Sequence, residues 1–457
     1  MPSASAVSSP GELHYTVRGS ESTTSLARKF LAQSSLMTVA ELDQAIRQRN
    51  HLKGGLKNGQ EVVIPTLEAQ PIVEKSRQTP KDADLRAIYF TGNTAGSVYG
   101  MELARKWQQA GGNAVVFDIK DSDGTLSIAF DHPLAPKRRP LISNLPKYVR
   151  FLHSLNLHAI ARIALFRDDN IAQKHSQLAV QSRATGKPWS ENGKQVWADS
   201  SNPEVQRYNI DLAKFVASSG VDEVQFDYVR FPAEGNQADA KFAFESSPAK
   251  LKRSDVIANF LQQAYSELKP TGTLLSVDVF GVMAWQRSVD LAHTGQDIAE
   301  MAKHCDVLSP MIYPSHFFGM DGYALPGDAP EHFISTSMQR FHKITVGTGV
   351  VIRPWLQAFA WKTKTYSPEY IKVQVLASKQ RGGIGFLLWN ARNDYVRPLA
   401  AMPAMVADAN RYFGKADPAA VEREVAAAKK AAPLKPSVHA PAPTSAPKPT
   451  VPAAPSL

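Results

Sequence analysis

The strongest constraint on what this chain can fold into is a rhythm of short apolar runs. Between residues 84 and 400 such runs recur at 87–92, 113–121, 158–166, 223–231, 274–281, 307–314, 344–352 and 384–390, and helix-patterned stretches at 98–110, 145–154, 205–219, 255–268, 297–304 and 368–381 lie between them. Each run is of strand length and each interval leaves room for a helix. Eight strands alternating with helices predict an α/β fold of the TIM type, a (β/α)8 barrel over residues 84–413, in which functional groups gather at the C-terminal ends of the strands. An open, doubly wound sheet is the alternative. It would want a glycine-rich phosphate turn after its first strand, which Thr91-Gly-Asn-Thr-Ala-Gly approximates poorly.

The fourth run, Glu223-Val-Gln-Phe-Asp-Tyr-Val-Arg-Phe-Pro232, carries an acid inside a strand that Pro232 closes. Alternation sets Gln225, Asp227 and Val229 on one side and Val224, Phe226 and Tyr228 on the other, with Tyr228 expected outside the barrel. A carboxylate in such a run is costly unless it is paired or used. Pairing with Arg230 or another nearby base is the structural reading and chemistry the functional one. Asp278, in Ser276-Val-Asp-Val-Phe-Gly281, interrupts the next strand in the same way.

The other strand ends add polar and aromatic groups. Asp118, Lys120 and Asp121 close the second strand, Arg162 stands in the third, Arg230 follows the fourth, Tyr313 and His316 follow the sixth, Trp355 the seventh, and Trp389 and Asn390 the eighth. Aromatic faces beside carboxylates suit pyranose rings, which need a surface to stack on and acceptors for their hydroxyls. Asp227 and Asp278 on adjacent strands make a minimal glycosidase pair. The expected roles are Asp227 as nucleophile and Asp278 as acid/base, with Lys120, Arg162 and Arg230 orienting the acids and binding hydroxyls. Asp118 and Asp121 join the substrate-binding set, and Tyr313, His316, Trp355, Trp389 and Asn390 line subsites. A metal hydrolase using Asp118, Asp121 and a histidine is a rival chemistry, but no pair of histidines or cysteines has ligand spacing, so neither metal nor cofactor is expected. A rival of another class is a glycan-binding barrel without catalysis.

Outside the barrel, residues 1–12 are small and polar, a tail. Residues 13–66 read as strand, helix, helix, strand, with Thr38 as an N-cap and Glu41 three residues on. Residues 67–83 are a polar, proline-marked linker, and 414–457 an Ala-, Pro- and Lys-rich tail with a charged helix at 421–431. The net charge of +10 is dispersed apart from Lys137-Arg-Arg139, and no nucleic-acid motif accompanies it. Cys305 is the one cysteine, which excludes an internal disulfide. No apolar run is long enough to span a membrane, and the first residues as written show neither a basic nor an apolar leader region.

Three resemblances add to this reading. Tyr15-Thr-Val, the helix Leu26-Ala-Arg-Lys-Phe30, Asn50 and Gly59-Gln-Glu-Val-Val-Ile-Pro65 resemble the LysM module, with Gly19-Ser-Glu-Ser where that family has Gly-Asp-Thr or Gly-Asp-Ser. The resemblance implies binding of peptidoglycan or another N-acetylglucosamine-containing glycan, and with it a cell-envelope, periplasmic or secreted location. The second covers nearly all of 84–400. Phe226-Asp-Tyr-Val-Arg-Phe-Pro232, with Val116-Phe-Asp-Ile-Lys-Asp121, Asp278-Val-Phe-Gly281, Ser309-Pro-Met-Ile-Tyr-Pro-Ser-His316, Pro354-Trp-Leu-Gln357 and Leu388-Trp-Asn390, looks like a family of bacterial barrels described as glycoside hydrolases. It implies action on a bacterial polysaccharide and places Asp227 and Asp278 in the site. The stretch Gly220 to Asp227 is also similar to the fourth-strand motif of α-amylase-like barrels, with Gln225 where that motif has arginine.

Overall fold

Residues 11–416 are described by the structure, a computed structural model. The eight runs form strands β1 (Arg86–Phe90), β2 (Ala114–Lys120), β3 (His158–Ala164), β4 (Glu223–Asp227), β5 (Leu274–Phe280), β6 (Val307–Ile312), β7 in two pieces (Val351–Ile352 and Trp355–Gln357) and β8 (Phe386–Trp389). All pair in parallel with their neighbours, and β8 returns to β1, so the sheet closes into the expected barrel. The outward side chains, among them Ile88, Phe117, Val224, Phe226 and Val277, are fully buried beneath the helices. Removing each of these from water contributes about 1.5–3 kcal/mol, which is why the strands read as almost continuous apolar runs.

The barrel's interior divides chemically. Ala87, Tyr89, Val116, Ile160, Trp355 and Leu387 form an apolar cluster from one side. From the other side come buried polar groups: Arg162 on β3, Glu223, Gln225 and Asp227 on β4, Ser276 and Asp278 on β5, and Ser309 on β6. Gln225 Nε2 reaches Ser309 Oγ at 3.4 Å across the interior. At the N-terminal end of the strands Arg353 Nη1 donates to Glu223 Oε2 at 2.9 Å, and His158 Nε2 stands 3.3 Å from the same carboxylate oxygen. That network closes the base, so Glu223 is structural and the acids that remain for chemistry lie at the other end.

Strand seven departs from expectation. Residues 344 and 345 end the helix Pro330–Thr345, and the strand begins only at Val351. Between them Gly347 and Gly349 hold φ of +86° and +75°, a turn that β-branched neighbours could not make. Pro354 has no N–H for the ladder and splits the strand.

The N-terminal segment shows the expected order: an antiparallel pair, Leu13–Thr16 with Glu61–Ile64, and helices Thr23–Phe30 and Val39–Arg49. Thr38 and Glu41 form a capping box, with Glu41 N donating to Thr38 Oγ1 at 3.1 Å and Thr38 N to Glu41 Oε2 at 2.8 Å. Asn50 staples the second helix to the last strand, donating to the carbonyls of Ile46 and Val63 and accepting from Val63 N.

The linker is not free chain. Arg150 pairs with Glu68 and Glu74, each at 2.7 Å, and Arg77 N donates to Asp222 Oδ1 at 2.7 Å. The strap so formed crosses the base of the barrel beside Asp222, which also accepts from Ala159 N and bonds His153. The tails at 1–10 and 417–457, including the helix expected at 421–431, lie outside the described residues.

Candidate active site

β4 ends at Asp227, and the following Tyr228 takes a left-handed φ of +52°. That reversal breaks the alternation and turns the Tyr228 ring into the cleft instead of outward as expected. The β4–β5 register pairs Gln225 with Ser276 and Phe226 with Val277, so the next step sets Asp227 beside Asp278, on strands roughly 4.8 Å apart. Both carboxylates line one cleft of about 410 Å³ at the C-terminal mouth, together with Arg162, Tyr228, Arg230, Phe280, Tyr313, His316, Trp355 and Trp389.

The two acids have opposite surroundings. Asp227 Oδ2 accepts from Arg162 Nη2 at 2.6 Å and Nε at 3.1 Å, and Oδ1 accepts from Tyr228 N at 2.6 Å. All three donors suit an anion. Arg162 is opposite Gln225 in the β3–β4 register, so the guanidinium that the α-amylase-like motif carries two residues before its acid is supplied here from the neighbouring strand. Of the bases open to Asp227, the ion pair is made with Arg162 and not with Arg230. Asp278 Oδ1 accepts one bond, from Trp355 Nε1 at 2.8 Å, and its Oδ2 is buried with no hydrogen-bond partner among the described residues. Burial, and then the charge of Asp227, pushes the Asp278 carboxyl well above the ordinary carboxylate range.

Behind Arg162 stands a third acid. Asp118 Oδ1 accepts from Arg162 Nη1 at 2.6 Å and Oδ2 from the Tyr89 hydroxyl at 2.5 Å. Burial pushes Asp118 up to about 7, and nearby Asp121 adds to this while Arg162 and Tyr89 oppose it. Tyr89 stacks on Trp389, with centroids 4.1 Å apart, and the Arg162 guanidinium lies 5.4 Å from the Trp389 ring. Asp118 therefore supports the site through Arg162 and does not line the cleft.

Three further expected residues are placed elsewhere. Lys120 is fully buried toward the helix layer, with Nζ donating to Asp168 Oδ2 at 3.0 Å, Asn209 Oδ1 at 2.8 Å and the Leu165 carbonyl at 3.0 Å. A register shift between Asp118 and Lys120 turns it away from the interior, which alternation alone could not foresee. Asn390 fastens the turn after β8 by donating to the carbonyls of Ala358 and Asp394. Asp121 is exposed on the loop after β2 and caps the N–H of Ser122 at 2.6 Å.

At the mouth, His316 sits 4.9 Å from the Trp361 ring and 5.5 Å from Tyr313. Crowding, and then the charge of Lys362, holds its imidazole below the ordinary value, so it is neutral. Trp361 and Phe318 are 45% and 48% exposed and stand edge to face, an open aromatic shelf beyond the cleft. The sequence reading missed Tyr89, Tyr228, Phe280 and Trp361. The first three sit in or beside runs that look like packing, and Trp361 lies in a loop with no pattern around it.

A closed parallel barrel with two unlike carboxylates at adjacent strand ends and aromatic walls is the architecture of the glycoside hydrolase class of barrels. Residues 87–395, well over half of the chain, match the family described as "Putative glycosyl hydrolase domain", and the chain belongs to that family. Among solved structures, a hypothetical protein from Ruminiclostridium thermocellum is 31% identical over 42% of this chain and 97% of its own, with a TM-score of 0.37. The PgaB (BpsB) glycoside hydrolase domain of Bordetella bronchiseptica is similar in fold at 15% identity, covering 73% of this chain and 99% of its own, with a TM-score of 0.50. The spore cortex-lytic enzyme SleL of Bacillus megaterium gives 12% identity, 88% and 87% coverage and a TM-score of 0.44. No curated protein matches the chain.

Proposed function

We propose that the barrel is a retaining, endo-acting glycoside hydrolase for a bacterial cell-envelope or extracellular polysaccharide. Asp227 attacks the anomeric carbon and Asp278 serves as acid and then base. The observation that carries this is the contrast between the pair: a carboxylate with three N–H donors beside a buried carboxyl that burial and Asp227 push well above the ordinary range and whose Oδ2 has no hydrogen-bond partner among the described residues. An anionic nucleophile next to a neutral acid is the arrangement that retaining cleavage needs. The Asp278 proton passes to the leaving glycosidic oxygen, and the carboxylate that remains takes a proton from water in the second step. Tyr313, whose hydroxyl burial pushes well up and so keeps protonated, and the Trp389 face would bind the sugar. The exposed shelf of Trp361 and Phe318 supports an extended, internally cleaved chain.

Residues 13–66 would bind peptidoglycan or a similar glycan and bring the barrel to its substrate at the envelope. The support is their LysM-like pattern and element order. Sedimentation with insoluble peptidoglycan tests it: a chain lacking 1–66 but keeping 67–83 should stay in the supernatant. If it sediments like the full chain, binding belongs to the barrel.

Asp227→Asn decides between hydrolase and binder. It removes the charge that stabilises an oxocarbenium-like transition state, while Arg162 keeps Asp118 as its partner. Turnover of envelope or exopolysaccharides should fall by several orders of magnitude with little loss of glycan affinity or melting temperature. A variant as active as the parent places the chemistry elsewhere. A parent that binds these glycans and cleaves none of them is a binding protein.

A further inference from the structure

The cleft holds a cation that pairs with no acid among the described residues. Arg162 is paired with Asp118 and Asp227, Arg353 with Glu223, and Lys120 with Asp168. Arg230 is only 9% exposed and lines the cleft, yet among the described residues its guanidinium makes one hydrogen bond, from Nη1 to the Phe231 carbonyl at 3.0 Å, and has no carboxylate within 4.0 Å. It is held by ring faces instead: its carbon lies 4.3 Å from the Phe280 ring, 4.7 Å from Trp197 and 5.4 Å from Tyr228. Rings fix the plane of a guanidinium and leave its edge free for a bidentate partner.

The surroundings make that partner an anion. Burial costs the charge of Arg230, and the nearby positive Arg167, itself 5.6 Å from the Tyr228 ring, adds to that cost. Tyr228, Glu191 and Asp227 offset part of it, but neither carboxylate stands within ion-pair distance, and the balance still lies below the ordinary arginine value. The strained Tyr228 between the two cations is the residue that follows Asp227, so the charged edge lies next to the reacting centre. A hydroxyl would leave a buried charge uncompensated, whereas a carboxylate would neutralise it with two parallel N–H bonds.

We propose that the cleft takes an acidic glycan and that Arg230 reads a carboxylate on a sugar bound at or beside the point of cleavage. This deepens the glycoside hydrolase reading and takes the glycan from it. The carboxylate can be that of a uronic acid ring or of a lactyl ether on an amino sugar, and the recognising chemistry is the same.

Calorimetric titration of the full chain tests it with two matched pairs: oligogalacturonates against the same oligomers reduced to neutral sugars, and muramic-acid-containing glycan fragments with free against esterified lactyl carboxylates. In at least one pair the acid form should bind tenfold or more tightly, with the preference shrinking as salt rises. The pair that shows it names the source of the carboxylate. Arg230→Gln should abolish the preference. If that variant does not fold, Arg230→Lys, which keeps charge and stem but loses the planar fork, should reduce the preference several-fold. Equal binding of acid and neutral forms, no binding of any of the four, or a preference that survives in folded Arg230→Gln overturns the proposal. A chain that prefers acidic glycans and hydrolyses none would refute the hydrolase reading and leave Arg230's role standing.

Discussion

The indole N–H of Trp355 donates to Oδ1 of Asp278 at 2.8 Å, from a strand two places around the barrel, and is that carboxyl's only hydrogen bond among the described residues. A bond to the carboxylate favours the ionised form, so it tempers the upward shift that burial and Asp227 impose. Trp355→Phe keeps an aromatic ring and removes the donor. The Asp278 carboxyl should then hold its proton to higher pH. The alkaline limb of the kcat/KM profile should move up by about one unit, the equivalent of roughly 1.4 kcal/mol. An unmoved limb would mean that another group supplies the proton.

The same carboxyl sets a pH dependence of stability. Asp278 is raised in the folded state, so the unfolded chain ionises first and binds fewer protons at any pH between the two values. Its contribution to stability is fully present below the unfolded pKa and declines as pH rises toward the folded one, by up to about 1.4 kcal/mol per unit. Asp278→Asn removes this liability and can still accept from Trp355. Denaturation curves should show the variant more stable than the parent at pH 7, with the difference vanishing near pH 4. A variant less stable at pH 7 contradicts the assigned proton.

Arg162 is the counter-ion for two buried acids, Asp118 and Asp227. Arg162→Met leaves both uncompensated and should cost about 3–5 kcal/mol in denaturant unfolding. Adding Asp118→Asn should recover part of the loss in alkaline solution, where the Asp118 carboxyl would otherwise ionise with no cation beside it. Additive losses would show that the two residues are not coupled.

Trp361 is 45% exposed at the mouth and touches none of the acids, so Trp361→Ala should leave stability unchanged. On long glycans KM should rise by about fivefold to fiftyfold, as for loss of one stacking contact of 1–2 kcal/mol, with little change on short oligomers. Equal effects on long and short substrates would argue against an extended binding track.

The barrel was legible because burial on both faces makes parallel strands nearly apolar, and an interrupting acid such as Asp227 or Asp278 stands out against that background. Strand seven was misplaced because Ile344 and Thr345 look like strand residues but end a helix, while the true strand is cut by Pro354. Within the site, single irregularities decided what periodicity could not. The register shift before Lys120 sent a cation to the helix layer, and the left-handed Tyr228 brought a ring into the cleft. Arg162 was expected beside the acids, but its position opposite Gln225 follows from pairing between strands far apart in sequence.

The strap across the base has a practical bearing on where the chain can be cut. The family match opens at residue 87, which invites a barrel trimmed just before β1. Such a cut would strip Arg150 of both its acids, leave His153 without Glu74, and deprive Asp222 of the Arg77 amide. Residues 67–83, which look like spacer, act as the floor of the barrel, and a fragment that begins at residue 67 keeps these contacts.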